Sequence, residues 1–250
     1  MDFIVELHQA ATLDEAFAAY EKLVQSLGFD GALYTFVPQI YLENKLSITP
    51  LFKTSDAYSP AFLRHYQDAG FDQHDFTVKR IAQGERQVLD WWLESRKGLL
   101  TRRERKVIVT AREDYGIRNG LSLPLVGGMP GLGGVSCISS EKGDAYQALL
   151  HDKLRDLKHC TQVFHEHVMA QPHLRIYFLA PLLAQLSPKE KRLLQFVLSG
   201  LPMKTLPKHM DDVSQKYGEK LVDGIRAKFG GINKVRLIYY IAMLHLHDYL

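Results

Sequence analysis

The feature that most constrains the fold is a change of pattern at Gln171-Pro172, which divides the chain into two unlike parts. Before it, segments with helical and with strand-like spacing alternate; after it, the regular segments have the helical period. A proline after a long helical pattern ends that helix, because the residue before proline avoids the helical conformation. The sequence therefore predicts two domains, which a length of 250 residues allows.

The first part is predicted to place helices around a sheet. Thr12 and Glu15 have the spacing of a capping box, and the amphipathic helix that follows is expected to stop at Gly28. Segments rich in strand formers include a pair joined by a Gly/Pro-rich turn, which predicts a hairpin. The predicted strands are 32–37, 45–52, 120–126 and 133–139, and the further helices are 101–115 and 145–170. Together they predict an α+β fold, an αβα sandwich with a central antiparallel sheet.

The second part is predicted to be a small helical bundle. Ser187, Pro188 and Glu190 give the clearest helix start in the chain, with Ser as N-cap, Pro at the first position and Glu at the third. The predicted helices are 187–200, 205–210, 214–229 and 234–247. Four short helices joined by tight turns are compatible with a helix-turn-helix domain.

These patterns predict a first domain at 1–172, a linker at 173–186 and a second domain at 187–250. Within the linker, Ile176–Leu183 is too apolar to be fully solvated, and we expect it to pack against other residues.

Charge differs between the two parts although the net charge is only +3. From Leu174 onward, twelve Lys and Arg face six Asp and Glu, a surplus that suits a polyanionic partner and that solvated helix faces also produce. Cys137 and Cys160 give no disulfide framework, which favours a reducing cytoplasm. No secretory signal and no apolar run of membrane-spanning length are recognised, so no membrane association is expected.

A stretch from Tyr58 to Trp92 contains the candidate ligand-binding residues. Three of its aromatic residues recur every fourth position, and an acid, a hydroxyl and a tryptophan pair follow, which is the raw material of a small-molecule pocket. From spacing alone, an aromatic core stripe followed by a surface acid is the simpler interpretation. The candidates are Tyr58, Phe62, Tyr66, Asp75, Thr77 and Trp91.

Several segments give the chain a recognisable resemblance. Leu186–Gly200 and Lys228–Leu244 resemble the helix-turn-helix domain of LuxR-type transcription regulators. Tyr58–Val78, Tyr115–Leu125 and Leu132–Ser136 resemble the autoinducer-binding domain of the quorum-sensing branch. Because nearly the whole chain is covered in the expected order, the resemblance implies a cytoplasmic, ligand-responsive regulator that binds double-stranded DNA.

The resemblance also implies roles for individual residues toward an acyl-homoserine lactone. Asp75 matches the acid that accepts a hydrogen bond from the ligand amide, and Tyr58 matches the tyrosine that donates to the acyl carbonyl. Trp91 matches the aromatic wall of the lactone ring. Thr77 and Ser136 match hydroxyl positions that contact the headgroup or the acyl carbonyl.

Phe62 departs from the family pattern. The family has tryptophan there, and its indole N–H donates to the lactone carbonyl, whereas phenylalanine keeps the wall and removes the donor. A neutral hydrogen bond contributes about 1 kcal/mol net. We therefore expect weaker binding of a homoserine lactone or a related signal without that carbonyl, as in the family members called LuxR solos.

The recognition helix, predicted at 214–229, is the second departure. The family commonly has threonine, valine and a basic or polar residue at the positions of Tyr217, Gly218 and Glu219. The negative charges of Glu219 and Asp223 oppose binding to phosphates. The basic DNA-binding candidates are Lys216, Lys220, Arg226 and Lys228. A solvated face on a helix that no longer docks on DNA is the alternative interpretation.

No metal, cofactor or catalysis is expected. The histidines between His151 and His167 lack chelating spacing, and Ser136, Asp75 and His74 show no spacing that indicates a catalytic triad. The resemblance implies a homodimer formed through the 145–170 helix and the C-terminal helix. Two alternatives remain: a sensor that acts through mixed dimers without reading DNA, and a ligand-independent regulator.

Overall fold

The computed structural model describes residues 3–44 and 51–250. Five strands form one sheet in the order β2-β1-β5-β4-β3, and the neighbours β1/β2, β3/β4 and β4/β5 run antiparallel. The strands are β1 (Gly31–Pro38), β2 (Phe52–Thr54), β3 (Leu89–Asp90), β4 (Asn119–Leu125) and β5 (Gly131–Ser139). The hairpin predicted around the Gly/Pro-rich turn is β4–β5, and the α+β class is confirmed.

The helices that precede the long central helix are short. They are α1 (Phe3–Gln9), α2 (Leu13–Ser26), α3 (Gln39–Asn44), α4 (Pro60–Asp68), α5 (Phe76–Ala82), α6 (Trp91–Arg96) and α7 (Arg102–Tyr115). The later helices are α8 (Gly143–Ala170), α9 (Pro172–Ala184), α10 (Pro188–Leu198), α11 (Gln215–Lys228) and α12 (Lys234–Met243). No helix in the described ranges has both the length and the apolar character to cross a bilayer.

The described residues form two compact units. The first lies within Met1–Phe36, Pro50–Gly128 and Leu132–Leu174, and the second lies within Val37–Thr49, Met129–Gly131 and Arg175–Leu250. The residues predicted to be a linker are helical, because α9 occupies most of 173–186. The domain limits 1–172 and 187–250 stay a prediction.

Local helix signals were read correctly from the sequence. The Ser187 hydroxyl accepts from the backbone N–H of Glu190 at 3.3 Å, and the Glu190 carboxylate accepts from the Ser187 N–H at 2.7 Å. The predicted N-cap Thr12 accepts from the Glu15 N–H, although the Glu15 carboxylate accepts from the N–H of Ala11 rather than that of Thr12, so only half of the predicted capping box forms. Gly28 follows the end of α2 with φ +97°. Such caps satisfy backbone groups with neighbours in sequence, so they can be recognised without tertiary information.

Two predicted elements differ in the structure, and a third is only partly described. Residues 205–210 were expected to be helical, but the structure has a 3-10 helix at Met203–Lys208, whose Pro207 has no N–H for an α-helical bond. The last helix was expected to reach residue 247 and ends at Met243, since His245 adopts a left-handed conformation with φ 51°. Of the strand predicted at 45–52, residues 45–50 lie outside the described ranges, and β2 begins at Phe52.

The first unit contains a tight aromatic core between α2, α8 and the sheet. Phe164 of α8 is fully buried, stacks on Tyr20 with ring centroids 4.5 Å apart, and meets Tyr34 of β1 edge-on at 4.9 Å. The Tyr34 hydroxyl lies 3.0 Å from Nδ1 of His165, which is also buried. This packing fixes the sheet on which the candidate site is built.

Candidate functional site

The aromatic stripe of the first unit lies at the start of α4 and on its buried side. Ser59 caps the helix with Pro60 at its first position, so Tyr58 precedes the helix and only Phe62 and Tyr66 lie within it. The Phe62 ring centroid is 6.2 Å from that of Tyr58 and 6.1 Å from that of Tyr66. The three rings are therefore contiguous, as the spacing predicted.

Tyr58 also reaches the sheet. Its hydroxyl donates to the backbone carbonyl of Ser136 on β5 at 3.0 Å, and its side chain is only 3% exposed. Burial raises the pKa of the Tyr58 hydroxyl well above its usual value, so the group stays a hydrogen-bond donor throughout the physiological range. A ligand carbonyl between α4 and β5 would compete with the Ser136 carbonyl for this donor.

Asp75 is the N-cap of α5 and is half-buried. Its Oδ1 accepts from the Thr77 N–H at 2.8 Å and from the Thr77 hydroxyl at 2.7 Å, and its Oδ2 accepts from the Tyr66 hydroxyl at 2.9 Å. Burial and the nearby Asp75 charge raise the pKa of Tyr66. A carboxylate has about four acceptor positions, and three are used, so Oδ2 retains one acceptor position.

Trp91 forms the other side of the site. It begins α6 after the N-cap Asp90, and its indole N–H donates to the Ser122 hydroxyl at 2.9 Å. Ser122 is directly opposite Ser136 in the β4–β5 ladder, and the two hydroxyl oxygens are 3.0 Å apart. Trp91, Ser122 and Ser136 thus form a hydrogen-bonded row along the sheet.

Three contributors were missed by the sequence analysis. Ser122 was treated as an ordinary strand residue; the cross-strand register with Ser136 is the signal that would have found it. Tyr115, at the end of α7, packs its ring 5.3 Å from Phe62, and its hydroxyl lies 2.8 Å from Nδ1 of His65. Tyr115 and His65 come together only through tertiary packing.

The predicted ligand residues therefore share one neighbourhood of the first unit. Tyr58, Phe62 and Trp91 belong to a single buried cluster, against which Tyr66 packs. The polar groups of the cluster converge with aromatic rings around them, which is the composition of a small-molecule site. In the described conformation, these polar groups are paired with one another.

The four predicted DNA-binding residues of α11 separate into two pairs. Arg226 donates through Nε to the Ile232 carbonyl at 2.6 Å and through Nη1 to Asp223 at 2.6 Å. Lys228 contacts both carboxylate oxygens of Glu190, at 2.8 and 2.6 Å, and the Gln185 carbonyl at 2.8 Å. Both cations therefore hold the second unit together.

Lys216 and Lys220 are different, because both are exposed on α11. Within residues 3–44 and 51–250, neither forms an ion pair. They are four positions apart, and like charges at that spacing weaken a helix slightly, which a polyanionic partner would offset. Glu219 lies between them in sequence and accepts from the Gln215 side chain at 2.9 Å, and within the described ranges it forms no ion pair.

Gly218, one of the divergent positions of α11, has a packing role. A Cβ built on it would lie 2.2 Å from the Leu206 side chain, so α11 approaches the 3-10 helix more closely than any other residue would allow. Gly224 has no such neighbour within 4 Å. Part of the divergence of α11 therefore serves its own packing.

Comparisons with known proteins agree with this architecture. The family model of the autoinducer-binding domain matches residues 12–168. The fold resembles a crystal structure of Escherichia coli SdiA, with 17% identity and a TM-score of 0.51 over 98% of this chain and 95% of that one. It also resembles the N-acylhomoserine lactone-dependent LuxR family transcription factor CepR2 from Burkholderia cenocepacia, with 17% identity and a TM-score of 0.51 over 70% and 94%. No curated protein matches the sequence.

Proposed function

This chain belongs to the autoinducer-binding domain family, and we propose that it is a ligand-responsive, LuxR-type transcription regulator. In this proposal, the first unit binds an acyl-homoserine lactone or a related small signal, and the second unit binds DNA through α11. The observation that carries the proposal is the convergence of Tyr58, Asp75, Trp91 and Ser136 on one aromatic-lined neighbourhood. The protein is proposed to bind its signal without transforming it.

Each polar group has a specific task in this proposal. The free acceptor position on Asp75 Oδ2 takes the amide N–H of the signal, forming a charge-assisted hydrogen bond. The Tyr58 hydroxyl turns from the Ser136 carbonyl to the acyl carbonyl of the signal. Trp91 forms the wall beside the headgroup of the signal. The hydroxyls of Thr77 and Ser136 form hydrogen bonds with the headgroup or the acyl carbonyl.

Phe62 sets the expected preference for the headgroup. With a benzyl ring surrounded by Tyr58, Tyr66 and Tyr115, this side of the site offers no indole N–H to a lactone carbonyl. We therefore expect an acylated amino-lactone and its cyclic ether analogue without the ring carbonyl to bind with similar affinity. Phe62→Trp is expected to favour the lactone by about 1 kcal/mol, or roughly fivefold.

Thermal unfolding with a ligand panel tests the sensor half. A ligand at 100 times its dissociation constant stabilises the folded state by about 2.7 kcal/mol. Asp75→Asn is the informative variant because asparagine still caps α5, whereas alanine would also remove the cap. Asp90→Asn, the same change at the N-cap of α6, is its matched control. The proposal fails for acyl-homoserine lactones if none raises the melting temperature, and the role of Asp75 fails if both variants respond alike.

Pull-down of genomic DNA fragments tests the other half. Combining Lys216→Ala with Lys220→Ala is expected to abolish enrichment, since these cations are exposed and form no ion pair within the described residues. Combining Arg102→Ala with Arg103→Ala removes the same charge from exposed positions on α7, outside the proposed dimer surfaces, and serves as the control. DNA capture that is equal in the two double variants would contradict the assignment of α11.

Two other functions have support in particular contacts. Arg226 and Lys228 are held by neighbouring residues, and the acid Glu219 stands between the two exposed lysines of α11, which favours a sensor that acts in mixed dimers without reading DNA. The paired state of Asp75 favours a ligand-independent regulator. Absence of DNA enrichment for the wild type would support the first, and DNA enrichment without any ligand response would support the second.

Homodimerisation is part of the main proposal. The α8 and α12 helices are proposed as its surfaces, and both expose apolar side chains: Val163, Val235, Tyr239 and Met243. Val235 is the most exposed of them at 78%. Light scattering of the wild type and of Val235→Glu tests this, and the variant is expected to have the lower mass. Equal masses would contradict a role for α12 in the interface.

A further inference from the structure

The end of the second unit carries three metal-ligating side chains that the signal site does not use. His245, His247 and Asp248 stand in the sequence His-Leu-His-Asp just after α12. One imidazole nitrogen from each histidine and one carboxylate oxygen all lie within 4.8 Å of one another. All three residues are exposed, so an ion from solution can reach them.

The backbone at His245 creates this arrangement. Its φ of 51° is left-handed, and in the described part of the chain no other non-glycine residue has a positive φ. This conformation is costly for a residue with a Cβ, and it reverses the chain directly after α12. The reversal brings the His245 and His247 rings to a centroid distance of 5.7 Å, although the two residues are only two apart.

Asp248 is held in position by a buried guanidinium. Its Oδ2 forms an ion pair with Nη2 of Arg175, which is only 4% exposed, while its Oδ1 lies 3.2 Å from Nε2 of His247. The ion pair therefore aims the second oxygen at the imidazoles. Leu246, between the two histidines, is buried and anchors the turn. An outer contact that orients a carboxylate in this way is typical of metal sites.

We propose that His245, His247 and Asp248 bind a divalent transition metal ion of the zinc type, with water completing the coordination. Two imidazole nitrogens and one carboxylate oxygen suit Zn²⁺, Ni²⁺ or Cu²⁺, whereas Mg²⁺ and Ca²⁺ prefer oxygen ligands alone. The alternative explanation of the cluster is a simple hydrogen bond between His247 and Asp248. That bond would not require His245 nearby and would leave its left-handed backbone unexplained. The bound ion ties the last turn, through Asp248, to Arg175 of α9 and so stabilises the second unit.

Calorimetric titration of the metal-free, full-length protein with zinc sulfate tests the site. We expect saturable one-to-one binding and a higher melting temperature with zinc. His245→Ala and His247→Ala are each expected to weaken binding at least about tenfold. Because both side chains are exposed, these variants are expected to keep the wild-type melting temperature without metal.

The matched control combines His151→Ala with His159→Ala, which removes two exposed histidines from α8. The control is expected to bind zinc as the wild type does. Cobalt titration adds a structural readout, because a four-coordinate ion gives intense visible absorption that the His245 and His247 variants should lack. The proposal is overturned if the wild type shows no saturable binding, if the His245→Ala, His247→Ala double variant binds with unchanged affinity, or if binding is lost in the α8 control.

Discussion

Lowering the pH from about 7.5 to about 5 is expected to weaken the folded state by about 2 kcal/mol through the imidazole of His165. His165 is 1% exposed, and its Nδ1 lies 3.0 Å from the Tyr34 hydroxyl. A Cβ on Gly133 would lie 3.2 Å from its ring, which shows how closely β5 packs on it. Burial lowers the pKa of His165 from 6.5 to about 4. A hydrogen bond to the Gly127 backbone and the charge of Glu166 raise this pKa, but their effect is smaller than that of burial.

The direction follows from which form the fold prefers. The folded protein holds His165 neutral, so the unfolded chain binds the proton at a higher pH than the folded one does. The stabilisation is fully present above about pH 6.5 and is lost as the pH falls toward 4. At about 1.4 kcal/mol per pKa unit, the complete loss is about 3.5 kcal/mol, of which somewhat more than half has occurred at pH 5.

Urea unfolding of the wild type and His165→Gln at both pH values measures this effect. Glutamine does not titrate. Between the two pH values, the variant should therefore lose about 2 kcal/mol less unfolding free energy than the wild type, whatever its absolute stability. The carboxylates titrate in both proteins and cancel in the comparison. His151→Gln, at an exposed position of the same helix, should behave as the wild type. Equal pH dependence in the wild type and His165→Gln would refute the reasoning.

Three further substitutions test the packing and the ion pairs that position the sites. Gly120→Ala should destabilise the protein by about 1–3 kcal/mol, since its Cβ would lie 2.4 Å from the Trp91 ring; Gly224→Ala, with open space around it, should stabilise α11 by up to about 1 kcal/mol. Opposite shifts in urea midpoint are expected, and equal shifts would contradict the packing argument. Lys228→Met should cost about 1–3 kcal/mol, because it leaves the Glu190 carboxylate, which is 7% exposed, without its cation. An unchanged urea midpoint would remove that structural role of Lys228.

The sequence was informative where a structure is determined by neighbours along the chain. The capping box at Ser187 and Glu190 and the β4–β5 hairpin depend on residues close in sequence, and both were predicted. The ion pair of Glu190 with Lys228 joins residues 38 apart. Nothing local marks such a partner, so Lys228 was interpreted as a DNA-binding candidate rather than a residue that holds the fold together.

Helix propensity alone does not account for Gly218. Its cost within a helix is real, at about 1 kcal/mol relative to alanine. The scale contains no term for the close approach of Leu206, which a Cβ would prevent. The two glycines of α11 look alike in sequence, yet only Gly218 has a tertiary reason to be there.

Asp75 constrains the proposed signal more tightly than Phe62 does. Three of its four acceptor positions are filled by the Thr77 N–H, the Thr77 hydroxyl and the Tyr66 hydroxyl. A signal with one N–H fills the remaining position without breaking any of these bonds, whereas a signal with no donor gains nothing there. Because Phe62 removes only one weak donor, we expect binding of the proposed signal to tolerate loss of the lactone carbonyl and to depend on its amide N–H.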